Sequence, residues 1–404
     1  MKLIALSAAF CVFHGVATVA AATINVPADF PTISSAIASA TAGDEVVVAV
    51  GVYTENINFG GKSIVVRSSA GPETTVIESA GTGPVVTFDS GESLGSVLEG
   101  FTIRLGVTTD ICGIAGCDIF GGGIHIAGAS PTIIGNVITQ NQSVGVGVLA
   151  GMGSGGGMLI INGAPVIRHN LFFDNTALGS GGGLACTDSS PLVENNTFVG
   201  NEAAAGAGFW ANGGAPVVRN NIFWDNSGTS EVFFAGPVAA NVTYSDVQGG
   251  FPGTGNINLD PLFVDAGLAN FHLSPGSPCI DAGDPLSPLD PDGTVVDLGA
   301  FSTGASSTFI RRGDCNNDGS VNIADAIFEL SLLFPAPGVP IPVANCDDAC
   351  DANDDGDINI ADAIAVLGSL FGSTPNPLPA PGDSCGVDPT IDALSCPSSS
   401  VGCP

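Results

Sequence analysis

Two twelve-residue segments carry side chains that could bind a metal ion. Residues 314–325 read DCNNDGSVNIAD and residues 351–362 read DANDDGDINIAD, with acidic or amide side chains at positions 1, 3, 5, 9 and 12 and glycine at position 6. Calcium takes roughly six to eight oxygen ligands, and a short loop around it needs a sharp turn at a residue that tolerates positive φ. Both segments therefore predict a calcium-binding loop, the alternative being two acidic turns without metal.

We assign six ligands to each loop and hence two calcium ions to the chain. The first set is Asp314, Asn316, Asp318, the backbone carbonyl of Ser320, Asn322 (directly or through water) and Asp325. The second set is Asp351, Asn353, Asp355, the backbone carbonyl of Asp357, Asn359 and Asp362. Because the clustered carboxylates would repel one another without a cation, we expect this region to be unfolded or loosened in the absence of calcium.

An apolar residue pattern with helical spacing follows each loop. Its members are Ile323, Ile327, Leu330 and Phe334, then Ile360, Ile364, Leu367 and Phe371. The residues before each loop are too few or too polar for a helix, so the expected arrangement is loop then helix, twice.

In these respects residues 313–372 resemble a type I dockerin. Both loops end in Asp and carry a hydrophobic residue and then Asn at positions 8 and 9. The resemblance implies a small calcium-folded domain that attaches secreted proteins, mostly polysaccharide-degrading enzymes, to a cohesin-like protein or cell-surface scaffold. The Pro-rich segment between the repeats, which contains Cys346 and Cys350, departs from this pattern and leaves the cohesin-facing geometry open.

The N-terminal residues predict a secreted protein. Residues 1–22 combine Lys2, a short apolar run and small residues around Ala20, which is typical of a signal peptide. We expect the mature protein to be extracellular or associated with the cell surface, without insertion into a membrane. Ten cysteines follow Cys11, and an even number outside the cell favours disulfides. We expect Cys112 and Cys117 to close a short loop; the remaining connectivity stays open.

The charge balance excludes some partners. The net charge is −31, with only eight Lys and Arg residues. Such a chain has almost nothing with which to neutralise phosphates, so nucleic acid and anionic membranes are unfavourable partners. A tightly held polyanionic glycan is disfavoured for the same reason.

A repeated pattern occupies the region between the leader and the loops. Pro131, Pro165, Pro191 and Pro216 each have Asn five residues later and again ten residues later, at intervals of 34, 26 and 25 residues. The repeats also contain Gly-rich openings and short β-branched or aromatic runs, which predict a solenoid with three strands per coil of about 25 residues. We expect the first Asn set to occupy left-handed bends and to form hydrogen-bonded ladders. It consists of Asn136, Asn170, Asn196 and Asn221.

The repeat alignment also predicts which side chains face the interior. Three interior stacks are expected: Ile133, Ile167, Val193 and Val218; Ile138, Phe172, Phe198 and Phe223; and Ile124, Met158, Leu184 and Phe209. The neighbouring positions should face outward: Thr139, Phe173, Val199 and Trp224 in one row, and His125, Leu159, Ala185 and Trp210 in another.

This region looks like an all-β, right-handed parallel β-helix of the pectin-lyase type, and the resemblance spans roughly residues 24–305. The segment INVPADFPTISSAIASATAGDEVVV near its start is similar to the entry region of secreted β-helix proteins. There Ile33, Ala36, Ile37 and Ala40 form one face of an expected capping helix. The domains expected are a signal peptide (1–22), the β-helix (23–305), a linker (306–312), the dockerin-like domain (313–372) and a Pro-rich, Cys-containing tail (373–404).

Residues that could contact a substrate are few. Exposed Trp210, Trp224 and Phe173 could stack on sugar rings, unless loops cover them. Arg168 and Arg219 align with Glu194 between them, either as a surface charge row or as a clamp for a substrate carboxylate. Asp174 and Asp225 share a row two coils apart, about 10 Å, at or beyond the wide limit for an acid and base pair.

No catalytic set can be named from the sequence. The motifs of polygalacturonases and pectin methylesterases are absent, and the histidines are isolated. Two hypotheses therefore remain. The chain is a polysaccharide-binding or structural protein attached through its calcium module, or it is a polysaccharide lyase or glycoside hydrolase attached in the same way.

Overall fold

The computed structural model describes residues 21–113, 116–118, 120–145, 153–236, 238, 241–290, 293–302, 310–335, 344, 346–372, 377–379, 381–382 and 385–386, with backbone alone for 109–113 and 116–118. The expected signal peptide and most of the tail lie outside these residues.

Short strands dominate residues 23–273. In chain order they are β1 (Thr23–Val26), β2 (Glu45–Val48), β3 (Gly51–Thr54), β4 (Ile57–Asn58), β5 (Val65–Ser68), β6 (Thr75–Glu78), β7 (Val86–Phe88), β8 (Val97–Glu99), β9 (Thr102–Arg104), β10 (Val107–Gly113), β11 (Gly116–Asp118), β12 (Ile124–Ala127), β13 (Thr132–Ile134), β14 (Val137–Thr139), β15 (Gln142–Gly145), β16 (Met158–Ile161), β17 (Val166–Arg168), β18 (Leu171–Phe173), β19 (Thr176–Ser180), β20 (Leu184–Thr187), β21 (Leu192–Glu194), β22 (Thr197–Val199), β23 (Glu202–Ala205), β24 (Phe209–Asn212), β25 (Val217–Arg219), β26 (Ile222–Trp224), β27 (Val232–Ala235), β28 (Asn241–Thr243), β29 (Asp246–Val247), β30 (Phe263–Asp265) and β31 (Asn270–Leu273).

The helices lie near the two ends of the chain. They are α1 (Ile33–Ser39), α2 (Ile323–Leu333), α3 (Asp347–Cys350) and α4 (Ile360–Phe371), and a 3₁₀ turn spans Ala266–Leu268. Of the helices formed by the described residues, none has the length and apolar character needed to span a membrane.

The strands stack in parallel and form the expected solenoid. Sheet I contains β1, β2, β5, β8, β13, β17, β21, β25 and β28; sheet II contains β3, β6, β9, β14, β18, β22, β26 and β29; and sheet III contains β4, β7, β12, β16, β20, β24 and β27. These three main parallel sheets confirm the predicted architecture. A shorter sheet IV, with β10, β15, β19 and β23 in parallel and β11 antiparallel, was not predicted.

The interior contains the predicted stacks. All twelve residues assigned to the three stacks are fully buried. The rings of Phe172, Phe198 and Phe223 are stacked, with centroids 4.6 and 4.7 Å apart and interplanar angles of 10° and 11°. Parallel pairing in register aligns equivalent positions of successive coils, so identical side chains contact along the axis.

Two asparagine ladders join the coils. Asn136, Asn170 and Asn196 each donate from Nδ2 to Oδ1 of the next ladder residue, at 3.1 Å in each case. The prediction that these residues themselves adopt the left-handed conformation is wrong. The left-handed residue is the preceding one, as at His169 with φ 53° and Asn195 with φ 51°, and the Asn that follows each bend is buried and bonds to the adjacent coil.

The Gly-rich openings are explained by close backbone approach. A Cβ on Gly156 would lie 2.5 Å from the carbonyl oxygen of Thr176, and one on Gly182 would lie 2.6 Å from that of Glu202. The same glycine segments cover part of sheet III. Consequently His125, Leu159 and Ala185, which were expected to face solvent, are buried.

Helix α1 closes the first coil, as predicted. The predicted face of this helix is buried, and it consists of Ile33, Ala36, Ile37 and Ala40. The Glu55 carboxylate accepts from the backbone N–H groups of Ile33 and Ser34, each at 2.9 Å. At the other end Lys62 Nζ donates to the carbonyls of Ile37, Ala38 and Ala40.

The C-terminal helices pack together after the two loops. Ala326, Ala363 and Val366 are buried between α2 and α4. The single turn α3 precedes the second loop, where no helix was expected. Cys315 and Cys350 form a disulfide, and Cys346 and Cys385 are also disulfide-bonded.

The remaining cysteines differ from the expectation of complete pairing. Cys186 and Cys279 are free and fully buried; Cys186 lies in the main apolar core, and the Cys279 thiol donates to Asp246 Oδ2 at 3.3 Å. Cys112 and Cys117 stand directly opposite each other on β10 and β11, but their side chains are outside the described residues, as are Cys396 and Cys403.

Candidate functional site

The two acidic loops have the same internal hydrogen bonds. Asp314 accepts from the backbone N–H groups of Asp318 and Gly319 at 3.0 and 2.9 Å. Asp351 accepts from Asp355 and Gly356 at 3.1 and 2.8 Å. Gly319 and Gly356 have φ of 88° and 83°, as the predicted sharp turn requires.

The last aspartate of each loop ties the loop to the following helix. Asp325 accepts from the backbone N–H groups of Asn316 and Asn322, and Asp362 accepts from those of Asn353 and Asn359. Asn322 and Asn359 are the N-caps of α2 and α4, and their Oδ1 atoms are engaged by backbone N–H groups two residues later. A water-mediated contact is therefore the natural role for these two predicted ligands.

The loop carboxylates concentrate buried negative charge. Asp314, Asp325, Asp351 and Asp362 are fully buried, and none has an ion-pair partner among the described residues. Burial raises the pKa of Asp314 and of Asp325, and burial raises the pKa of Asp362 to about 6. This oxygen-rich donor set fits a hard cation. Within the described residues, no group of three or more His, Cys, Asp or Glu side chains is already arranged to hold a metal ion.

A cleft of about 580 Å³ lies on sheet I. One wall is the outward surface of that sheet, a second is formed by residues around 287–302, and residues 354–356 of the second loop complete it. Six carboxylates and two guanidinium groups line the cleft: Glu73, Glu99, Glu194, Asp290, Asp354, Asp355, Arg67 and Arg168. The cleft is therefore predominantly acidic.

Arg168 is the second cation of this cleft. Arg168, Glu194 and Arg219 occupy adjacent rungs, as the repeat alignment predicted. Glu194 nevertheless pairs with Arg219 through two bonds of 2.8 and 3.0 Å, and Arg219 also approaches Asp284 at 3.6 Å. Among the described residues, the exposed Arg168 side chain has no hydrogen-bond or ion-pair partner.

Glu99 stands two rungs from Arg168. The intervening rung is Ile134, which pairs with Glu99 on one side and with Arg168 on the other. Within the described part of the chain, the Glu99 carboxylate likewise has no partner. The Glu99 carboxylate, an acceptor, and the Arg168 guanidinium, a donor, therefore lie on either side of Ile134, with about 10 Å between their two strands.

His169 also lines the cleft. It is half-buried and occupies the left-handed bend after Arg168. Burial, followed by the charge of Arg168, lowers the pKa of His169. Its imidazole is therefore neutral near pH 7.

The three aromatic candidates do not form one surface. Phe173 and Trp224 lie on sheet II and are covered by the β30–β31 hairpin, and the rings of Phe173 and Phe271 are 5.1 Å apart. Trp210 lies on sheet III and is half-buried. For Phe173 and Trp224 the alternative therefore holds, because another segment of the chain covers both side chains.

Asp174 and Asp225 occupy bends of the backbone and are not positioned as an acid and base pair. Both have left-handed backbone, with φ of 58° and 54°, and Gly200 between them has φ 64°.

Sequence reasoning missed Glu99 and His169 as cleft residues. The rung of Glu99 could have been found by extending the repeat alignment to earlier coils, whereas the closing segment 287–302 has no repeat signal.

The family-model comparison agrees with the fold. Residues 86–251 match the family model described as a right handed beta helix region. No curated protein sequence matches the chain. The solved structure of pectin methylesterase from carrot aligns with a TM-score of 0.30 and 10% identity, covering 60% of this chain and 88% of that chain. The crystal structure of pectate lyase Pel9A aligns with a TM-score of 0.26 and 14% identity, covering 70% of this chain and 96% of that chain. Scores this low support no inference about activity.

Proposed function

We propose that the β-helix binds a neutral extracellular polysaccharide in the sheet I cleft and that the C-terminal domain attaches the protein to a scaffold through calcium. The single observation that carries the binding role is the arrangement of Glu99, Ile134 and Arg168. A free carboxylate and a free guanidinium group on either side of an apolar residue match a sugar, which has a ring face between hydroxyl groups.

The charge of the cleft favours a neutral glycan. Of the six carboxylates, Glu194 pairs with Arg219, Asp354 pairs with Arg312 at 3.0 Å and Asp355 is a proposed calcium ligand. Of the two guanidinium groups, Arg67 is paired with Glu45 at 2.6 Å, so Glu73, Glu99 and Asp290 still outnumber Arg168. Carboxylates accept hydrogen bonds from sugar hydroxyls, but they repel uronic acids. A polyuronate would therefore meet an unfavourable potential, despite the presence of Arg168.

Binding can be tested with an array of neutral and acidic polysaccharides. Arg168→Ala should weaken binding to the selected neutral glycan about tenfold, since it removes a charge-assisted hydrogen bond. Arg104→Ala is the matched control, because Arg104 lies on sheet II and pairs with Glu78 at 2.9 Å. Equal binding by both variants would contradict the cleft assignment.

A catalytic role is the second candidate, favoured by the neutral His169 beside Arg168. In a lyase reaction His169 would accept the proton from the carbon next to a carboxylate held by Arg168, while a C=C bond forms and the C–O bond to the leaving sugar breaks. Polysaccharide panels read by reducing-sugar release and by absorbance of unsaturated uronides would detect hydrolase or lyase turnover. Turnover that is lost in His169→Ala and Arg168→Ala would favour the enzyme over the binding protein.

The attachment role is supported by an exposed apolar surface on the C-terminal helices. We call it the isoleucine face, and it consists of Ile323 and Ile327 on α2, Phe334 immediately after α2, and Ile360, Ile364 and Phe371 on α4, all more than half exposed. The small residues Ala326 and Ala363 are buried between the helices, and the larger side chains of the isoleucine face are exposed to solvent. A cohesin-like domain with an apolar surface is the proposed partner.

Attachment can be tested with purified cohesin domains. The chain should bind at least one of them in calcium and not in chelator, and Ile327→Ala combined with Ile364→Ala should weaken binding strongly. Val50→Ala is the control, because Val50 is 61% exposed on the β-helix. Binding that ignores both chelator and the double substitution would refute the proposed attachment.

A further inference from the structure

Glu329 on α2 is an anomaly in the core of the C-terminal domain. Its side chain is fully buried, and neither carboxylate oxygen has a hydrogen-bond partner among the described residues. Burying an unpaired carboxylate is costly, so such a group calls for a nearby positive charge.

The carboxylate lies against the second loop. Ala326, one helical turn before Glu329 on α2, is buried in the same cluster as Ala352 of the second loop and Ala363 in the first turn of α4. Asp351 and Asp362 are the first and last proposed ligands of that loop. Glu329 therefore belongs to the same group of negative charges, although it comes from the helix that follows the other loop.

The two repeats differ at this position. Glu329 follows Asp325 by four residues, and Val366 follows Asp362 by four residues. Val366 is buried, and its Cγ2 lies 3.5 Å from the Cβ position of Gly313, immediately before the first loop. The helix of each repeat thus packs against the loop of the other, but only the second loop receives a carboxylate.

We propose that Glu329 contributes its negative charge to the second calcium site, so that the second loop binds calcium more tightly than the first. This inference rests on the proposed calcium binding of the domain. Each proposed ligand set includes three side-chain carboxylates, and calcium affinity rises with the charge count of the site. The second loop also contains Asp354, which is paired with Arg312, and Asp357, which is exposed. Glu329 also makes α2 part of the second site, which joins the two repeats.

A purely structural role for Glu329 would give a different result. Packing of Ala326 with Ala363 brings Glu329 near the first turn of α4, where an acidic group stabilises a helix. In that case substitution would change the stability of the domain and leave the affinity for calcium unchanged. The affinity of each separate site is therefore the deciding measurement.

Isothermal titration of calcium into the full chain can separate the sites. Asp318→Ala disables the first loop and Asp355→Ala disables the second, each at an exposed ligand. Glu329→Gln is then introduced into both backgrounds. We expect it to weaken calcium binding about tenfold when only the second loop remains, and to change it less than twofold when only the first remains. Glu329→Leu, which mimics the apolar residue of the other repeat, should give the same pattern.

The outcomes distinguish the two proposals. If the unsubstituted chain binds no calcium, the proposed attachment mechanism fails before Glu329 is considered. If the chain binds two ions and Glu329→Gln leaves both affinities unchanged, calcium binding stands and the role of Glu329 is refuted. Equal weakening in both backgrounds would also refute it, because that result indicates a general loss of stability.

Discussion

Buried polar side chains hold the coils together at the scale of single residues. Asn196 has no solvent exposure, yet its Oδ1 accepts from Asn170 N at 3.0 Å and its Nδ2 donates to the carbonyl of Ile167 at 2.9 Å. Asn196 Nδ2 also donates to Oδ1 of Asn221 in the following coil at 3.1 Å, and Asn170 bonds to the coils on both sides in the same way. Satisfied buried amides specify the position of each coil as well as stabilising it.

Asn196→Ala should destabilise the β-helix by about 2–4 kcal/mol, because it leaves buried backbone groups without partners. Chemical denaturation of the full chain in calcium measures the effect. Asn162→Gly is the control, since Asn162 is exposed with φ 53° and should change the free energy of unfolding by less than about 0.5 kcal/mol. Similar losses for the two variants would remove the ladder as a source of stability.

Glu231 makes the stability of the second asparagine ladder depend on pH. This ladder consists of Asn141, Asn175, Asn201 and Asn226. Its carboxylate accepts from Asn226 Nδ2 at 2.6 Å, and burial raises the pKa of Glu231 to about 7. The unfolded chain ionises first as the pH rises from about 4.5, so the contribution of Glu231 to stability falls up to about pH 7 and is constant above it.

Glu231→Gln should remove this slope. The difference in unfolding free energy between the native chain and the variant should fall by about 2–3 kcal/mol between pH 4.5 and 7.5, with native calcium conditions kept constant. The variant loses an acceptor at every pH, so the change with pH is the relevant quantity. A constant difference across this range would show that Glu231 does not titrate as expected.

At the scale of elements, the first coil depends on the charges that cap α1. Glu55 binds the N-terminus of the helix and Lys62 binds its C-terminus, so each neutralises the partial charge at one end. This use of Lys62 also removes it from consideration as a substrate-binding cation.

Lys62→Met should destabilise the capping helix by about 1–2 kcal/mol, because three carbonyls lose their donor. Hydrogen exchange should rise in residues 23–58 and remain unchanged in the later coils. Glu202→Gln is the matched control at an exposed strand position on sheet IV. Faster exchange throughout the solenoid would contradict a local role for the cap.

The sequence predicted elements with repeated signals better than features that depend on unrepeated segments. The Pro and Asn intervals located the strands and interior stacks, because every coil obeys the same packing constraint. The covering of Phe173 by Phe271 was not predictable, since residues 263–273 have no counterpart in the repeats. Likewise, helical spacing located α2, but it could not indicate that Ile327 would be exposed while Ala326 is buried.

At the scale of the whole molecule, two kinds of stability are combined in one chain. The β-helix is held by an apolar core and by hydrogen bonds between successive coils. The C-terminal domain has a small core around Ala326, Ala363 and Val366 and concentrates uncompensated carboxylates beside it. Its stability should therefore depend on the concentration of calcium.

Calorimetry of the full chain should show this difference as two transitions. Chelator should lower or abolish the transition of the C-terminal domain and leave that of the β-helix in place, because calcium binds only the folded loops. Unchanged transitions in calcium and chelator would overturn the metal assignment.

Two neighbouring aspartates provide a matched test of the ligand assignment. Asp355 and Asp357 are both exposed in the second loop, and Asn at either position removes the same charge. Asp355 is proposed to bind through its side chain and Asp357 through its backbone carbonyl alone. Asp355→Asn should therefore reduce the calcium-induced rise in melting temperature substantially, whereas Asp357→Asn should retain most of it. Equal reductions would mean that overall charge, rather than side-chain ligation by Asp355, determines the response to calcium.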